Sequence, residues 1–153
     1  MPGSYFTNMV DFKNIYNQSD FLNHNPRQAC LSIITTPREV FELREEWMFS
    51  KQVMFEDTDN VEHPRALSSE MAEDIVKFLM EVNDSDYEAL TVHCFAGVSR
   101  SRAVVLFYEE VLRGNVVEDI NRTPFITHNR FVYSCLVKAY RKIIDEQSIN
   151  FDG

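Results

Sequence analysis

The sequence predicts a single α/β domain, and three observations carry that reading. Apolar runs of strand length at 29–34, 51–55 and 89–92 alternate with stretches of helical periodicity at 68–82, 99–113 and 128–146. A chain of 153 residues with 44% hydrophobic content is long enough to close one core. Its 4 Gly and 5 Pro are too few for a disordered or fibrous chain. One domain over 1–153 is therefore expected, with no repeats or low-complexity linkers.

Residues 1–28 are polar and aromatic with weak periodicity and read as a segment packing on the core. Tyr5, Phe6, Phe12, Tyr16 and Phe21 suit core capping better than a substrate rim. Ala29 to Ile34 reads as a buried strand. Thr36-Pro37-Arg38-Glu39 is a helix start, with Thr as N-cap, Pro at the first position and Glu three residues after the cap. The helix it opens carries Val40, Phe41 and Leu43 and is expected to end near Trp47. A strand at 51–55 runs into the acidic turn Glu56-Asp57-Thr58-Asp59-Asn60. Helix 68–82, capped by Ser68 or Ser69, places Met71, Ile75, Phe78, Leu79 and Val82 on one face. Gly114 suits the C′ position of the helix at 99–113, and a short helix is expected near 116–122. The last helix, 128–146, aligns Val132, Cys135, Leu136, Ala139, Tyr140 and Ile143 on one stripe.

The chemistry lies at the corner between the strand at 89–92 and the helix after it. There the chain reads His93-Cys94-Phe95-Ala96-Gly97-Val98-Ser99-Arg100-Ser101. Chance alone gives about 0.2 Cys-x5-Arg pairs in such a chain, and the flanking His, Gly and Ser lower this by several orders of magnitude. A thiol must ionise to become a nucleophile. The N–H groups from Phe95, Ala96, Gly97, Val98, Ser99 and Arg100 can curl into an anion nest. The following helix adds its positive end. Small side chains at Ala96 and Gly97 admit the close backbone approach, and Gly97 can take a positive φ. Such a cradle fits the non-bridging oxygens of a phosphoryl group, and the planar fork of Arg100 suits two of them. Ser101, in the first helical turn, can donate to the sulfur, which improves the thiolate as a leaving group. If Cys94 points into the loop, His93 points to the other side of the strand and orients rather than acts as base. A satisfied core histidine is the competing reading of His93.

This motif resembles the signature of the cysteine-dependent protein tyrosine phosphatases. The Ala-Gly-x-Ser-Arg-Ser form in a short chain is closest to the compact dual-specificity-like members found in bacteria and phages. The resemblance spans roughly residues 29–145. It implies a central mixed sheet flanked by helices, a phosphocysteine intermediate at Cys94, and hydrolysis of phosphotyrosine, with phosphoserine and phosphothreonine as further substrates. It also implies an upstream general acid. Asp57 is the first candidate, Asp59 the second and Glu56 the third; a plain solvated turn is the alternative. The segment Thr127-His128-Asn129-Arg130-Phe131 resembles the start of the family's final helix, with His128 where a Pro is usual. Asn129 there either ties the segment to the active-site loop or serves only as an N-cap.

Two other enzymes share this mechanism, an RNA 5′-phosphatase and a phosphoinositide phosphatase. The formal net charge of −9 disfavours RNA and anionic membrane surfaces. Lysines that accept a polyanionic lipid headgroup are missing from the loop. A catalytically weak phosphate-binding module is the third reading; the presence of both Cys94 and Arg100 argues against it. Arsenate reductases and low-molecular-weight phosphatases carry their loop at the N-terminus with the acid after it, the reverse of this order. The expected partner is a neutral or basic phosphorylated protein or peptide, not nucleic acid or membrane, bound by a monomer. Cys30, Cys94 and Cys135 are odd in number and unpaired in spacing, which fits a reducing, cytoplasmic setting without signal peptide or membrane span. Cys30 and Cys135 read as core thiols, either of which could instead trap an oxidised Cys94. His24, His63, His93 and His128 lack metal-ligand spacing, so neither metal nor cofactor is expected.

Overall fold

The expected apolar runs form strands, and the N-terminus adds one more. The computed structural model describes residues 2–116 and 128–152. Strands β1 (Gly3–Asn8), β2 (Gln28–Ile34), β3 (Phe49–Met54) and β4 (Ala89–Cys94) form one sheet in the order β1-β4-β2-β3. Every pair is parallel, so the mixed sheet expected from the resemblance is corrected to a parallel one among the described residues. All seven residues of β2 are buried, as a central strand covered on both faces must be. Side chains alternate along it. Ala29, Leu31 and Ile33 join the main core, while Cys30 joins a second cluster with Phe12, Leu22 and Trp47.

The main core lies under three helices: α3 (Ser69–Asn83), α4 (Arg100–Phe107) and α5 (Arg130–Asp152). Ser68 caps α3 by accepting from Met71 N at 3.1 Å, and Ile75, Leu79 and Val82 are buried on its inner face. α4 runs on through a π-helical turn, Tyr108–Leu112, and Gly114 comes just after it with φ 70°. Val132, Leu136, Ala139 and Ile143 of α5 complete the layer. The short helix expected near 116–122 lies outside the described residues, apart from its first position. Among the described residues, no helix is long and apolar enough to cross a membrane.

The opposite face of the sheet carries α1 (Met9–Asp11), a π-helical turn at Phe12–Tyr16, and α2 (Ser19–His24). Here the structure departs from the sequence reading twice. Residues 3–8 supply the edge strand β1 rather than merely packing on the core. An edge strand is half solvated, so Gly3–Asn8 needs no apolar run to announce it. Phe6, Phe12, Tyr16 and Phe21 do pack on the two clusters, whereas Tyr5 is exposed.

The helix expected from Thr36 to Trp47 is only a 3₁₀ turn, Pro37–Glu39. Its start signal is real: Glu39 Oε2 accepts from the Thr35 and Thr36 amides at 3.1 and 2.9 Å. The chain from Glu42 to Trp47 is irregular because Asn17 takes over its hydrogen bonds. Asn17 Nδ2 donates to Glu42 O at 2.9 Å, and its Oδ1 accepts from Arg44 N at 2.9 Å and Trp47 Nε1 at 3.0 Å. Phe41 and Leu43, two residues apart, then both reach the second cluster, which helical spacing would not permit.

Candidate active site

β4 ends at Cys94 and α4 begins at Arg100, with five loop residues between. Parallel strands of such a sheet present their carboxyl ends at one edge, and β1 backs the loop there. Asn8 is the register partner of Cys94, and Met9 N donates to Phe95 O at 3.1 Å. Gly97 has φ 71°, and a Cβ there would stand 2.5 Å from the Thr7 carbonyl carbon and 2.6 Å from Asn8 N. Glycine is thus required twice, by conformation and by the backbone behind it.

Cys94 is buried at 2% exposure, and its sulfur lies 3.2 Å from Ser101 Oγ. Burial alone would push the thiol up. The Ser101 hydroxyl, the Ser101 and Val98 amides and the Arg100 charge outweigh it, so the thiol ends below its ordinary value. Arg100 is 4% exposed. Its Nη1 donates to Phe55 O at 2.6 Å and to Thr35 Oγ1 at 2.9 Å, both neutral oxygens. Its Nε has no hydrogen-bond partner among the described residues. A buried cation with neutral partners and a spare donor is incomplete without an anion.

Of the acidic turn, Asp57 is the residue that meets the loop. Its Oδ1 accepts from Ser99 Oγ at 2.9 Å and Asn129 Nδ2 at 2.8 Å, and its Oδ2 has no hydrogen-bond partner among the described residues. Asp59 is exposed and lines a groove with Ser99, His128, Arg130 and Phe131. Glu56 is tied through its backbone, its amide donating to Arg65 O at 2.7 Å and its carbonyl accepting from Thr58 N at 3.0 Å. Asn129 Oδ1 caps α5 by accepting from Val132 N at 3.0 Å, its amide donates to Ser99 O of the loop at 3.1 Å, and its Nδ2 donates to Asp57 Oδ1 at 2.8 Å and Thr58 O at 3.2 Å.

His93 lies on the far side of the sheet from the thiol, fully buried and stacked on Phe12 at 4.3 Å. Burial pushes it down to about 4, so the ring is neutral. Cys30 is a buried core thiol opposite Thr91 in the register, and it belongs to the cluster away from Cys94. Three strand residues span about 10 Å, beyond the ~7 Å limit between bridged Cα atoms, so Cys30 cannot trap Cys94 without rearrangement. Cys135, half-buried, lines a groove between α3 and α5. Among the described residues, no three His, Cys, Asp or Glu side chains gather as a metal set.

Sequence reasoning missed Thr35 and Phe55, which hold Arg100, and Thr7 and Asn8, which back Gly97. Thr35 directly follows β2, the neighbour of the motif strand, and Phe55 directly follows β3, one strand further out, a position-based signal that needs the strand order to be read. Nothing in the sequence marks Thr7 or Asn8 once β1 is missed.

No family model and no curated protein matches the chain. Solved structures do match its fold. The chain is similar to the human tyrosine phosphatase-like serine/threonine/tyrosine-interacting protein, with TM-score 0.61 and 17% identity over 94% of each chain. It is also similar to DUSP15, with TM-score 0.56 and 22% identity over 95% of this chain and 92% of that one. The chain therefore has the α/β fold of the tyrosine phosphatases, as its signature led us to expect.

Proposed function

We propose that the chain is a protein phosphatase that hydrolyses phosphotyrosine, with phosphoserine and phosphothreonine as further substrates, through a phosphocysteine at Cys94. One observation carries the reading: among the described residues, the buried Arg100 guanidinium beside a thiol held below its ordinary range has only neutral hydrogen-bond partners and a spare Nε–H. A phosphoryl dianion supplies the missing charge and accepts that donor, together with the amides of Phe95 to Arg100. The Cys94 thiolate attacks phosphorus while the bond to the leaving oxygen breaks and Asp57 gives that oxygen its proton. Water then attacks the phosphocysteine, Asp57 takes a proton from it, and the S–P bond breaks to release phosphate and the thiolate. Ser101, 3.2 Å from the sulfur, stabilises the leaving thiolate. Cys94, a residue at 2% exposure, favours the longer phosphotyrosyl group, and Phe95, at 65% exposure beside it, offers an aromatic face. The acidic chain favours neutral or basic peptides.

The test is phosphate release from phosphotyrosyl and phosphothreonyl peptides, a phosphoinositide and 5′-phosphorylated RNA, each run beside Cys94→Ser. Release from phosphotyrosyl peptide by the wild type alone is expected. Release only from lipid or RNA overturns the substrate class. A second reading, a phosphate-binding module, draws on the fold shared with a protein named only phosphatase-like. It predicts that wild type and Cys94→Ser bind phosphopeptide equally and that neither releases phosphate.

A further inference from the structure

The row of side chains that begins at His93 runs across three strands. His93 on β4 faces Ser32 on β2 in the register, and Ser32 faces Gln52 on β3. Same-face neighbours in a sheet touch, and these do. Ser32 Oγ is 2.6 Å from His93 Nε2, and Gln52 Nε2 donates to Ser32 Oγ at 3.1 Å. The same Gln52 Nε2 lies 3.3 Å from the Phe41 carbonyl, which can only accept, so the amide nitrogen is the atom facing the serine. Ser32 Oγ thus accepts a hydrogen bond from Gln52, which leaves its own O–H free to donate to His93 Nε2. In that arrangement Nε2 is the acceptor and the ring proton sits on Nδ1. Nδ1 lies 3.4 Å from the carbonyl oxygen of Cys94.

We propose that Ser32 and Gln52 are positioning residues: through their hydrogen-bonded row they hold His93 with its proton on Nδ1, which turns the Cys94 carbonyl toward His93 and the Phe95 N–H toward the sulfur. The second half rests on the trans peptide, whose C=O and N–H point in opposite directions. His93 and Cys94 are neighbours on a strand and belong to opposite faces, so a carbonyl drawn to the histidine side leaves the amide on the thiol side. With the other tautomer, a bare Nδ1 lone pair would face the carbonyl oxygen, and the first amide of the cradle would lose its anchor. Burial, first of all, keeps the ring neutral, so the relay is intact at physiological pH. The charged groups acting on the histidine are Lys13, Arg100 and Glu39, and on the thiol Arg100. None of them is altered by substitution at Ser32 or Gln52. The anion-cradle part of this inference rests on the proposed phosphatase chemistry; the tautomer part does not.

The experiment uses ¹⁵N-labelled full-length chain. Nitrogen shifts of the His93 ring report the tautomer, and the pH dependence of iodoacetamide alkylation at Cys94 reports the thiolate. The wild type is expected to carry its proton on Nδ1. Ser32→Ala removes the donor to Nε2, so the Nε2–H form appears and the alkylation midpoint of Cys94 rises by about one pH unit. Ser32→Thr keeps the hydroxyl and retains both wild-type readings. Gln52→Glu claims the serine O–H for a carboxylate and moves the ring proton to Nε2; Gln52→Met removes the donor that fixes the serine's orientation and lets both tautomers appear. A wild-type ring protonated on Nε2 overturns the proposal. So does a folded Ser32→Ala protein with unchanged tautomer and alkylation curve. If the relay behaves as stated but no phosphoester is hydrolysed, the positioning row stands and the phosphatase reading falls.

Discussion

Replacing Asp57 by Asn removes one proton and little else. In the native site Oδ1 accepts from Ser99 at 2.9 Å and from Asn129 at 2.8 Å. An amide oxygen can take both bonds, leaving the NH₂ group where Oδ2 stood, so the loop should keep its shape. The loss then reports the donated proton itself, for which general acid catalysis supplies roughly 10²–10⁴ in rate. Phenolate from tyrosine, with pKa about 10, needs most of that help. We expect kcat on a phosphotyrosyl peptide to fall by roughly 10²–10³, or about 3–4 kcal/mol, with KM nearly unchanged. An aryl phosphate whose leaving group is far more acidic should lose much less. On the proposed mechanism the acid limb of kcat/KM tracks Cys94 ionisation, and the variant should keep it. Asp59→Asn, exposed and with no hydrogen bond to the loop among the described residues, should stay within about threefold of wild type. Steady-state kinetics across three leaving groups and pH 4.5–8.5 (about that range suits a carboxyl and a thiol) make the test. An equal loss for every leaving group, or a larger effect at Asp59 than at Asp57, would refute the assignment.

The same geometry sets the outcome of other perturbations. Gly97→Ala places a Cβ 2.5 Å from the Thr7 backbone at φ 71°; the strain of about 1–3 kcal/mol should deform the loop and abolish the melting-point rise given by inorganic phosphate. A Gly97→Ala protein that still responds to phosphate would contradict the backing role of β1. Asn17→Ala removes three hydrogen bonds that shape residues 42–47 and should destabilise the fold by about 2–3 kcal/mol in urea, read by the fluorescence of Trp47. His93 is held neutral by burial, with a pKa pushed down to about 4 from 6.5. Between those values the unfolded chain binds a proton that the native one refuses. Stability should therefore fall as pH drops from about 6.5 to 4, by about 3 kcal/mol in all, and the slope should shrink in His93→Asn.

The sequence carries its information unevenly, for physical reasons. Helix α3 is legible because an amphipathic stripe over fifteen residues leaves little choice of period. The motif corner is legible because Cys, Gly and Arg have few other uses at that spacing. Strand β1 is not, because a half-solvated edge of six residues shows no apolar run. The capping box at Thr36 is legible, and the extent of its helix is not. A start signal fixes one turn, and a buried asparagine about twenty residues upstream decides the rest. The parallel order likewise lies in crossovers that no local pattern records. In the site, Cys94, Arg100 and Ser101 share one motif that the chain shows, and Asp57 stands first among three candidates in the acidic turn. The hydroxyl of Thr35 and the carbonyl of Phe55 cannot be read from the chain, because their contribution depends on which strand ends stand side by side.

Trapping the intermediate is the most direct measurement. Wild type, mixed with an aryl phosphate of acidic leaving group and quenched in acid within milliseconds to seconds, should gain the mass of one phosphoryl group, mapped by peptide sequencing to Cys94 and lost in Cys94→Ser. Hydrolysis that proceeds without any phosphoryl group on Cys94, or label that settles on another side chain, would contradict nucleophilic attack by this sulfur.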